Sequence, residues 1–319
     1  MRVLLTGGAG FIGSHLADRL VASGHEVHVL DDLSTGSLAR LEQCADRISF
    51  ERGSVLESDR VARLVERADR VVHLAATVGV DRVARDPEGT RRVIAGGSKI
   101  VLERACALRL PVLLISSSEV YGFAPPLPIR ETDVLDRIDG CASRLSYARA
   151  KLEADQAARE RFADGLPVLS VRPFNVVGPR QTGDGGAVLP RFVEQALAGR
   201  PLAVHGDGRQ RRTFLDVRDL SRVLAELVRS ESFPVGAVNL GGTEEHSIFG
   251  LAEQVVSLLG SASDIQRVEP PAARGGVEVK RRVPDLGRLL ALTGCFACRP
   301  LADSILALAE ERLAPAGAV

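Results

Sequence analysis

The sequence has no excess of charge of either sign, which argues against several kinds of partner. Its 41 lysines and arginines balance 41 aspartates and glutamates, so the formal net charge of the 319 residues is zero. Proteins that bind nucleic acid or a membrane surface through charge carry a basic excess. We therefore expect no nucleic acid and no membrane among the partners.

Long apolar runs are also missing. No stretch approaches the roughly 18 apolar residues that a membrane-spanning helix needs. The N-terminal segment reaches Gly7 too early for the apolar core of a signal peptide. These two absences predict a cytoplasmic protein.

Cysteine is scarce, with five residues in the chain. An odd number of cysteines without an export signal predicts reduced thiols rather than a disulfide framework. Cys295 and Cys298 form one Cys-x-x-Cys pair, but no second pair accompanies it. We expect neither a metal site nor a redox role for this pair.

A glycine-rich turn near the N-terminus has the sequence context of a dinucleotide-binding site. Residues 2–5 predict a strand, and Gly7, Gly10 and Gly13 lead from it into a helical pattern. In such a fingerprint the first glycine permits a tight turn and the second admits a pyrophosphate close to the backbone. The third allows the helix to pack closely on the strand. The pyrophosphate would lie at the N-terminus of the helix.

Two carboxylates at the end of the next predicted strand favour NAD over NADP. Residues 26–30 alternate as a strand and are followed by Asp31 and Asp32. A carboxylate about 20 residues after the glycines binds the adenosine ribose hydroxyls and repels a 2′-phosphate. An ordinary turn with two aspartates is the alternative. The sequence predicts NAD as the cofactor.

Strand and helix patterns alternate through the first half of the chain. Predicted strands at 48–51, 70–74, 111–115 and 167–171 alternate with predicted helices at 57–67, 88–108 and about 145–162. This alternation predicts an α/β fold with a Rossmann-like, doubly wound parallel sheet. Ligands of such sheets bind at the carboxyl ends of the strands.

The alternation ends near residue 172. Helical patterns at 188–198, 218–229, 248–259, 286–293 and 301–313 accompany two basic clusters, at 209–212 and 280–282. We expect an NAD-binding domain of residues 1–172, to which a segment of about 213–246 returns. Residues 173–212 and 247–313 are expected to form a smaller, discontinuous α/β lobe that binds the substrate. The basic clusters either are solvated faces or hold a substrate diphosphate. Residues 314–319 are expected to be a disordered tail.

Tyr147 and Lys151 form a candidate catalytic pair. Their spacing places both side chains on one face of a helix. A nearby cation lowers the pKa of a phenol, which would make Tyr147 usable as an acid or base near neutral pH. Ser117 lies in a polar stretch directly after a predicted strand, at the edge where the cofactor is expected. A solvated helix face and a commonplace serine-rich turn are the alternatives.

Five motifs occur in an order that resembles a known family. They are TGGAGFIGSHL, SSSEVYG, Tyr147-x-x-x-Lys151, RPFNVVGPRQ and GDGRQRRTF. The chain resembles the extended short-chain dehydrogenase/reductases that act on nucleotide sugars, from residue 1 to about 313. The resemblance implies NAD, a nucleotide-sugar substrate (a UDP-sugar is favoured), and a homodimer formed through the helices near 88–108 and 145–162.

The resemblance also implies roles for individual residues. Ser117 would bind the reacting sugar hydroxyl, Tyr147 would transfer its proton, and Lys151 would lower the pKa of Tyr147 and hold the nicotinamide ribose. The candidate catalytic residues are Ser117, Glu119, Tyr147 and Lys151. The candidate cofactor residues are Gly7, Gly10, Phe11, Ile12, Gly13, Asp31, Asp32, Ser34, Gly36, Ser54, Val55, Leu74, Ala75, Ala76, Tyr147, Lys151 and Pro173.

The candidate substrate residues are Ser117, Ser118, Glu119, Tyr147, Asn175, Val188, Leu189, Arg191, Arg212 and Arg282. Of these, Asn175, Arg212 and Arg282 match positions that contact the diphosphate in the family. Two positions depart from its pattern. Ser54 stands where an acidic residue usually touches adenine, and Ile94 stands where an asparagine is usual.

Several reactions share a first step in which the sugar 4-hydroxyl is oxidised by NAD⁺ to a 4-keto sugar. We predict a nucleotide-sugar 4-epimerase acting on a UDP-hexose or UDP-hexuronic acid, because the segment from GPRQTG to Phe192 resembles the 4-epimerases most. Arg191 would then reach a uronate carboxylate or pack outward.

Three alternatives stay open. A UDP-glucuronic acid decarboxylase fits the presence of Glu119 and Arg282. An NDP-glucose 4,6-dehydratase fits less well, because residues 117–119 lack the acid that dehydration requires. The alternative that is not an enzyme is a silent NAD-binding sensor.

Overall fold

The computed structural model describes residues 1–135, 137–138, 143–183, 186–269, 279–294, 296 and 298–314. Cys295 and the predicted tail beyond residue 314 lie outside the described residues. No helix in these ranges is long and apolar enough to cross a membrane.

The described strands are β1 (Arg2–Thr6), β2 (Glu26–Asp31), β3 (Ile48–Arg52), β4 (Arg70–His73), β5 (Val112–Ile115), β6 (Val168–Pro173), β7 (Val176–Val177), β8 (Leu202–His205), β9 (Arg211–Thr213), β10 (Leu215–Asp216), β11 (Gly236–Leu240), β12 (Glu245–Ser247), β13 (Ile265–Val268) and β14 (Arg281–Arg282). The helices are α1 (Phe11–Ala22), α2 (Ser58–Val65), α3 (Val80–Arg85), α4 (Pro87–Arg91), α5 (Gly97–Ala107), α6 (Ser143–Ala163), α7 (Val188–Leu197), α8 (Val217–Arg229), α9 (Ile248–Leu258), α10 (Gly287–Thr293) and α11 (Leu301–Leu313). A π-helical segment, Arg92–Gly96, joins α4 to α5.

Seven parallel strands form the central sheet in the order β11-β6-β5-β4-β1-β2-β3. The strand order reverses between β1 and β4, and a doubly wound sheet binds its ligands in the crevice at such a reversal. The predicted Rossmann-like α/β fold is therefore confirmed. The glycine-rich turn after β1 and the segment after β4 face each other across this crevice.

The sheet is apolar on both faces because helices cover both of them. Successive side chains of β1 alternate between the faces. Val3 and Leu5 join a core with Leu16 of α1 and Leu220 of α8. Leu4 joins a second core, with residues of α2, α5 and α6. This two-sided burial fixes the carboxyl edge of the sheet, where the candidate site lies.

A third apolar core lies in the later part of the chain. It contains Phe192 of α7, Leu202 of β8, Leu251 of α9 and Ile305 of α11. Strand β11, by contrast, pairs with β6 at the edge of the main sheet. The domain boundaries and the homodimer stay predictions.

Short elements account for the differences from the sequence-based assignment. The predicted helix at 88–108 is present as α4 and α5 with the π-helical segment between them. Helix α3 and strands β11, β12 and β13 were missed. None of these segments shows a clear helical or strand period in the sequence.

Candidate active site

One cavity of about 770 Å³ lies at the carboxyl edge of the sheet. It brings together most of the predicted cofactor residues with part of the predicted substrate residues. The predicted residues that line it are Gly7, Gly10, Phe11, Ile12, Gly13, Asp31, Asp32, Ser34, Gly36, Val55, Leu74, Ala75, Ala76, Ser117, Ser118, Glu119, Tyr147, Lys151, Pro173 and Asn175.

The glycine turn after β1 fits a pyrophosphate. Gly7 has a φ of +75°, and a Cβ on it would lie 2.7 Å from the backbone nitrogen of Ala75, so only glycine fits here. Gly10 precedes α1 and gives the helix no side-chain cap. The first backbone N–H groups of α1 are therefore available to an anion at the cavity, as NAD requires.

Asp31 is held at the cavity by its own neighbours. Its Oδ2 accepts a hydrogen bond from the nitrogen of Ala9 at 3.0 Å, and its Oδ1 accepts one from Leu33 at 2.8 Å. Burial raises the pKa of the Asp31 carboxyl, and these two hydrogen bonds oppose that rise. Each carboxylate oxygen keeps a lone pair for a ribose hydroxyl. Asp32 is exposed beside it.

Ser54 is not part of the cavity wall, although its neighbours Gly53 and Val55 are. Its nitrogen donates to Glu57 Oε1 at 2.7 Å, and its hydroxyl accepts from the nitrogen of Leu56 at 3.2 Å. The serine shapes the turn before α2 instead of facing the cavity.

Ser117, Tyr147 and Lys151 meet where β5 ends beside α6. Ser117 precedes the 3₁₀ turn Ser118–Tyr121, and its Oγ accepts a hydrogen bond from the nitrogen of Glu119 at 3.2 Å. The ammonium of Lys151 donates to the carbonyl of Ile115 at 2.7 Å and lies 6.0 Å from the centre of the Tyr147 ring.

The pKa values of the pair correct one expectation. Burial raises the pKa of Tyr147 to about 12; a hydrogen bond with Ser117 lowers it and the charge of Glu119 raises it. Burial lowers the pKa of Lys151 to about 8, against the charge of Asp155. The structure does not show the expected lowering of the Tyr147 pKa, because burial raises it and the Lys151 ammonium is directed at the carbonyl of Ile115.

Glu119 and Arg282 form an ion pair at one end of the catalytic group. Arg282 Nη1 lies 2.5 Å from Glu119 Oε1, and Arg282 Nη2 donates to the carbonyl of Gly122 at 2.8 Å. The Arg282 side chain is 3% exposed and lies behind Glu119, which lines the cavity. The Nε of Arg282 is buried and has no hydrogen-bond partner in the described residues.

The other predicted substrate residues do not line the cavity, with the exception of Asn175, whose Nδ2 donates to the carbonyl of Thr213 at 2.9 Å. Arg191 Nη2 donates to the carbonyl of Ala203 at 3.4 Å, and Arg212 Nη1 donates to that of Arg211 at 2.7 Å. Val188 and Leu189 begin α7, and Leu189 is buried in the third core.

Sequence reasoning missed several residues of the cavity wall, namely Arg40, Arg82, Arg85, Gln181 and Thr182. The three arginines follow β2 and β4, which lie on either side of β1 in the sheet. Basic residues shortly after these strands were the available signal. Arg82 Nη1 donates to the carbonyl of Ser34 at 2.6 Å, which joins the segments after β4 and β2.

Residues 3–241 match the model of the NAD dependent epimerase/dehydratase family. The chain belongs to this family. Membership confirms the predicted extended short-chain dehydrogenase/reductase resemblance and NAD as the cofactor. The glycine turn and Asp31 are the features of this chain that fit NAD.

Two curated proteins to which the chain is similar are named decarboxylases. The chain is 36% identical over 293 residues to the UDP-N-acetyl-α-D-glucosaminuronate decarboxylase of Bacillus cytotoxicus. The aligned region covers 90% of this chain and 90% of the relative. The chain is also 34% identical over 306 residues to UDP-glucuronic acid decarboxylase 1 of Danio rerio. This aligned region covers 95% of this chain and 71% of the relative.

One solved structure to which the chain is similar is an epimerase. The UDP-glucuronic acid 4-epimerase from Bacillus cereus, in complex with UDP-glucuronic acid and NAD, superposes with a TM-score of 0.85 at 26% identity and covers 98% of both chains. The comparisons thus support a nucleotide-sugar enzyme of the epimerase/dehydratase family and leave the predicted 4-epimerisation a prediction.

Proposed function

We propose that the protein is an NAD-dependent decarboxylase of a UDP-hexuronic acid. The observation that carries the proposal is the ion pair between Glu119 and the buried Arg282, next to Ser117 and Tyr147. Epimerisation at C4 needs no further charged group beside the oxidation site. Removal of a carboxylate does call for charged groups near the sugar, and here Glu119 lines the cavity while the buried Arg282 behind it holds the Glu119 carboxylate in place.

The first step is oxidation of the sugar at C4. Tyr147 takes the proton of the 4-hydroxyl, and Ser117 donates a hydrogen bond to the same oxygen. Lys151 supplies a positive charge that favours the phenolate form of Tyr147 once ligands fill the cavity. NAD⁺, which the glycine turn after β1 and Asp31 would hold, would supply the acceptor for the hydride from C4.

The 4-ketone makes the C6 carboxylate of the sugar part of a β-keto acid. The C5–C6 bond breaks, CO₂ leaves, and the electron pair moves to the C4 oxygen, which Ser117 and Tyr147 stabilise by hydrogen bonds. A proton from water then adds at C5 to give a 4-keto pentose. Return of the hydride to C4, with return of the proton from Tyr147 to the C4 oxygen, would yield the UDP-pentose. At the end of the site where the carboxylate is lost, the positive charge of Arg282 compensates the negative charge of Glu119.

The 4-epimerase is the second candidate, because of the similarity to the UDP-glucuronic acid 4-epimerase of Bacillus cereus. In that interpretation Arg191 would bind the uronate carboxylate. Arg191 instead donates to the carbonyl of Ala203 and does not line the cavity. Both curated relatives described above are decarboxylases, which also favours the first candidate.

Product mass distinguishes the candidates. The protein is incubated with NAD and, separately, UDP-glucuronic acid, UDP-N-acetylglucosaminuronic acid and UDP-glucose. We expect a UDP-hexuronic acid to give a product lighter by one CO₂. A product of unchanged mass with inverted C4 would establish the epimerase instead, and loss of water from UDP-glucose would indicate a dehydratase.

Glu119→Gln sharpens this test. The substitution leaves the charge of Arg282 unpaired, so we expect CO₂ release to fall at least about tenfold, or about 1.4 kcal/mol in activation free energy. An epimerase should tolerate the substitution better than a decarboxylase. Glu57→Gln is the matched control, because Glu57 pairs with Arg60 on the surface.

A further inference from the structure

A fully buried ion pair lies beside the catalytic group without lining the cavity. Arg172 of β6 holds Asp155 of α6 through two contacts: its Nε donates to Oδ1 at 3.2 Å, and its Nη2 donates to Oδ2 at 2.5 Å. Ser170 also donates to Asp155 Oδ1. Asp155 is 0% exposed and Arg172 is 1% exposed, so both charges lie out of water.

Arg172 also reaches the turn that carries Ser117 and Glu119. Its Nη1 donates to the phenol oxygen of Tyr121 at 3.0 Å, and that phenol donates to Asn239 Oδ1 of β11 at 2.5 Å. Tyr121 is the last residue of the Ser118–Tyr121 turn and is buried. Ser117 fixes the other end of the turn, because its Oγ accepts from the nitrogen of Glu119.

The other side of the pair reaches the catalytic helix. Tyr147, Lys151 and Asp155 follow one another at intervals of four residues on one face of α6. The pair therefore connects the element that carries the tyrosine and lysine to the turn that carries the serine and glutamate. A buried ion pair adds little to stability compared with apolar residues of equal size, but it can fix one arrangement of the elements it joins.

We propose that Asp155, Arg172 and Tyr121 form a positioning unit that sets the Ser117–Glu119 turn against Tyr147 and Lys151 on α6. None of the three touches the substrate in this proposal. They act on the reaction by fixing the distance and direction of Ser117 and Glu119 relative to the phenol of Tyr147. Stabilisation of the transition state is sensitive to this geometry. The inference rests on the proposed function only for the choice of substrate in its assay.

Tyr121→Phe tests the unit, because it removes one hydroxyl and keeps the ring that packs against Phe174. We expect kcat to fall about tenfold, equivalent to about 1.4 kcal/mol, while KM stays within about twofold. Ser304→Ala is the matched control: the Ser304 hydroxyl is also buried and donates to an aspartate of an Asp–Arg pair, Asp216 with Arg218, at 2.7 Å. We expect it to lower Tm and to leave kcat unchanged.

A purely structural role would make both variants lose Tm while both keep kcat, and that result overturns the inference. The double variant Asp155→Asn with Arg172→Gln removes the pair without leaving one buried charge alone. We expect it to lower kcat at least as much as Tyr121→Phe; a folded double variant with wild-type kcat would also overturn the inference.

The decarboxylase proposal and the positioning proposal can fail independently of each other. If the wild type oxidises a neutral UDP-hexose and no hexuronic acid, the decarboxylase proposal fails, and the Tyr121→Phe comparison is made with that hexose. If the wild type oxidises no nucleotide sugar, both proposals fail.

Discussion

Burial shifts the pKa values of Tyr147 and Lys151 in opposite directions. Burial raises the pKa of the phenol to about 12 and lowers that of the ammonium to about 8. Each shift disfavours the charged form. Near neutral pH both shifts favour a neutral phenol at Tyr147. A positive charge beside the ring would favour the phenolate, and Lys151 together with a bound nicotinamide would supply that charge.

His73 at the end of β4 is the most completely buried histidine beside the site, and its hydrogen bonds select one neutral form. Ser98 Oγ donates to the carbonyl of Ile94 at 2.6 Å, so it accepts from His73 Nε2 at 3.0 Å. Nδ1 then accepts from the Thr6 hydroxyl at 2.6 Å. A second ring proton would disrupt this chain, and burial lowers the His73 pKa to about 3.

We predict that His73 makes the fold sensitive to acid. The unfolded chain protonates this residue near its ordinary pKa of 6.5, whereas the folded chain resists protonation until about pH 3. The unfolded state binds more protons in between, so stability falls as pH decreases from about 6.5. His73 contributes a loss of about 1.6 kcal/mol between pH 6.5 and pH 5. Urea unfolding at both pH values should show a correspondingly smaller loss in His73→Gln; an identical loss would contradict the assignment.

At the scale of elements, the parts that could be predicted are those with a strong local pattern. The glycines predict the turn between β1 and α1, and the periodic pattern predicts α6 with Tyr147 and Lys151 on one face. The contact of Arg282 with Glu119 could not be derived in this way, because it joins segments far apart in the chain. The family pattern pointed to both residues, but neither it nor any local signal indicated that they pair.

The part of the cavity wall formed by Gln181 and Thr182 could not be predicted from the sequence either. Arg180 has a φ of 65°, an uncommon conformation for a residue with a side chain. Its nitrogen donates to both carboxylate oxygens of Glu311 on α11, at 2.9 and 2.8 Å. Arg312, also on α11, donates to the carbonyl of Gln181 at 2.5 Å. The last turn of α11 therefore holds this segment against the cavity.

We predict that Glu311→Ala loosens this wall and weakens substrate binding. A hydrogen bond to a charged group contributes about 1.5–3 kcal/mol, and its loss should raise KM for the nucleotide sugar about tenfold while kcat stays within about twofold. Steady-state kinetics measure both constants. Glu310→Ala, an exposed neighbour on the same helix, serves as the control. An unchanged KM in Glu311→Ala would show that α11 does not support the wall.

At the scale of the whole molecule, the cavity draws its wall from both sides of the strand-order reversal. The glycine turn, the segment after β4 and the segment around Asn175 all contribute residues to it. A ligand that fills this cavity contacts parts of the chain that separate on unfolding. Such a ligand binds the folded state alone and raises its stability by mass action.

We predict that thermal unfolding distinguishes NAD from NADP. At about 100 times its Kd, NAD should stabilise the protein by about 2.7 kcal/mol, which corresponds to a rise in Tm of about 4 °C for a chain of this size. NADP at the same concentration should give a much smaller rise, because its 2′-phosphate would face the carboxylates of Asp31 and Asp32. Gly13→Ala should abolish the response to NAD, since its Cβ would lie 2.7 Å from the Cα of Gly8. Equal rises with the two cofactors would contradict the role of the two aspartates.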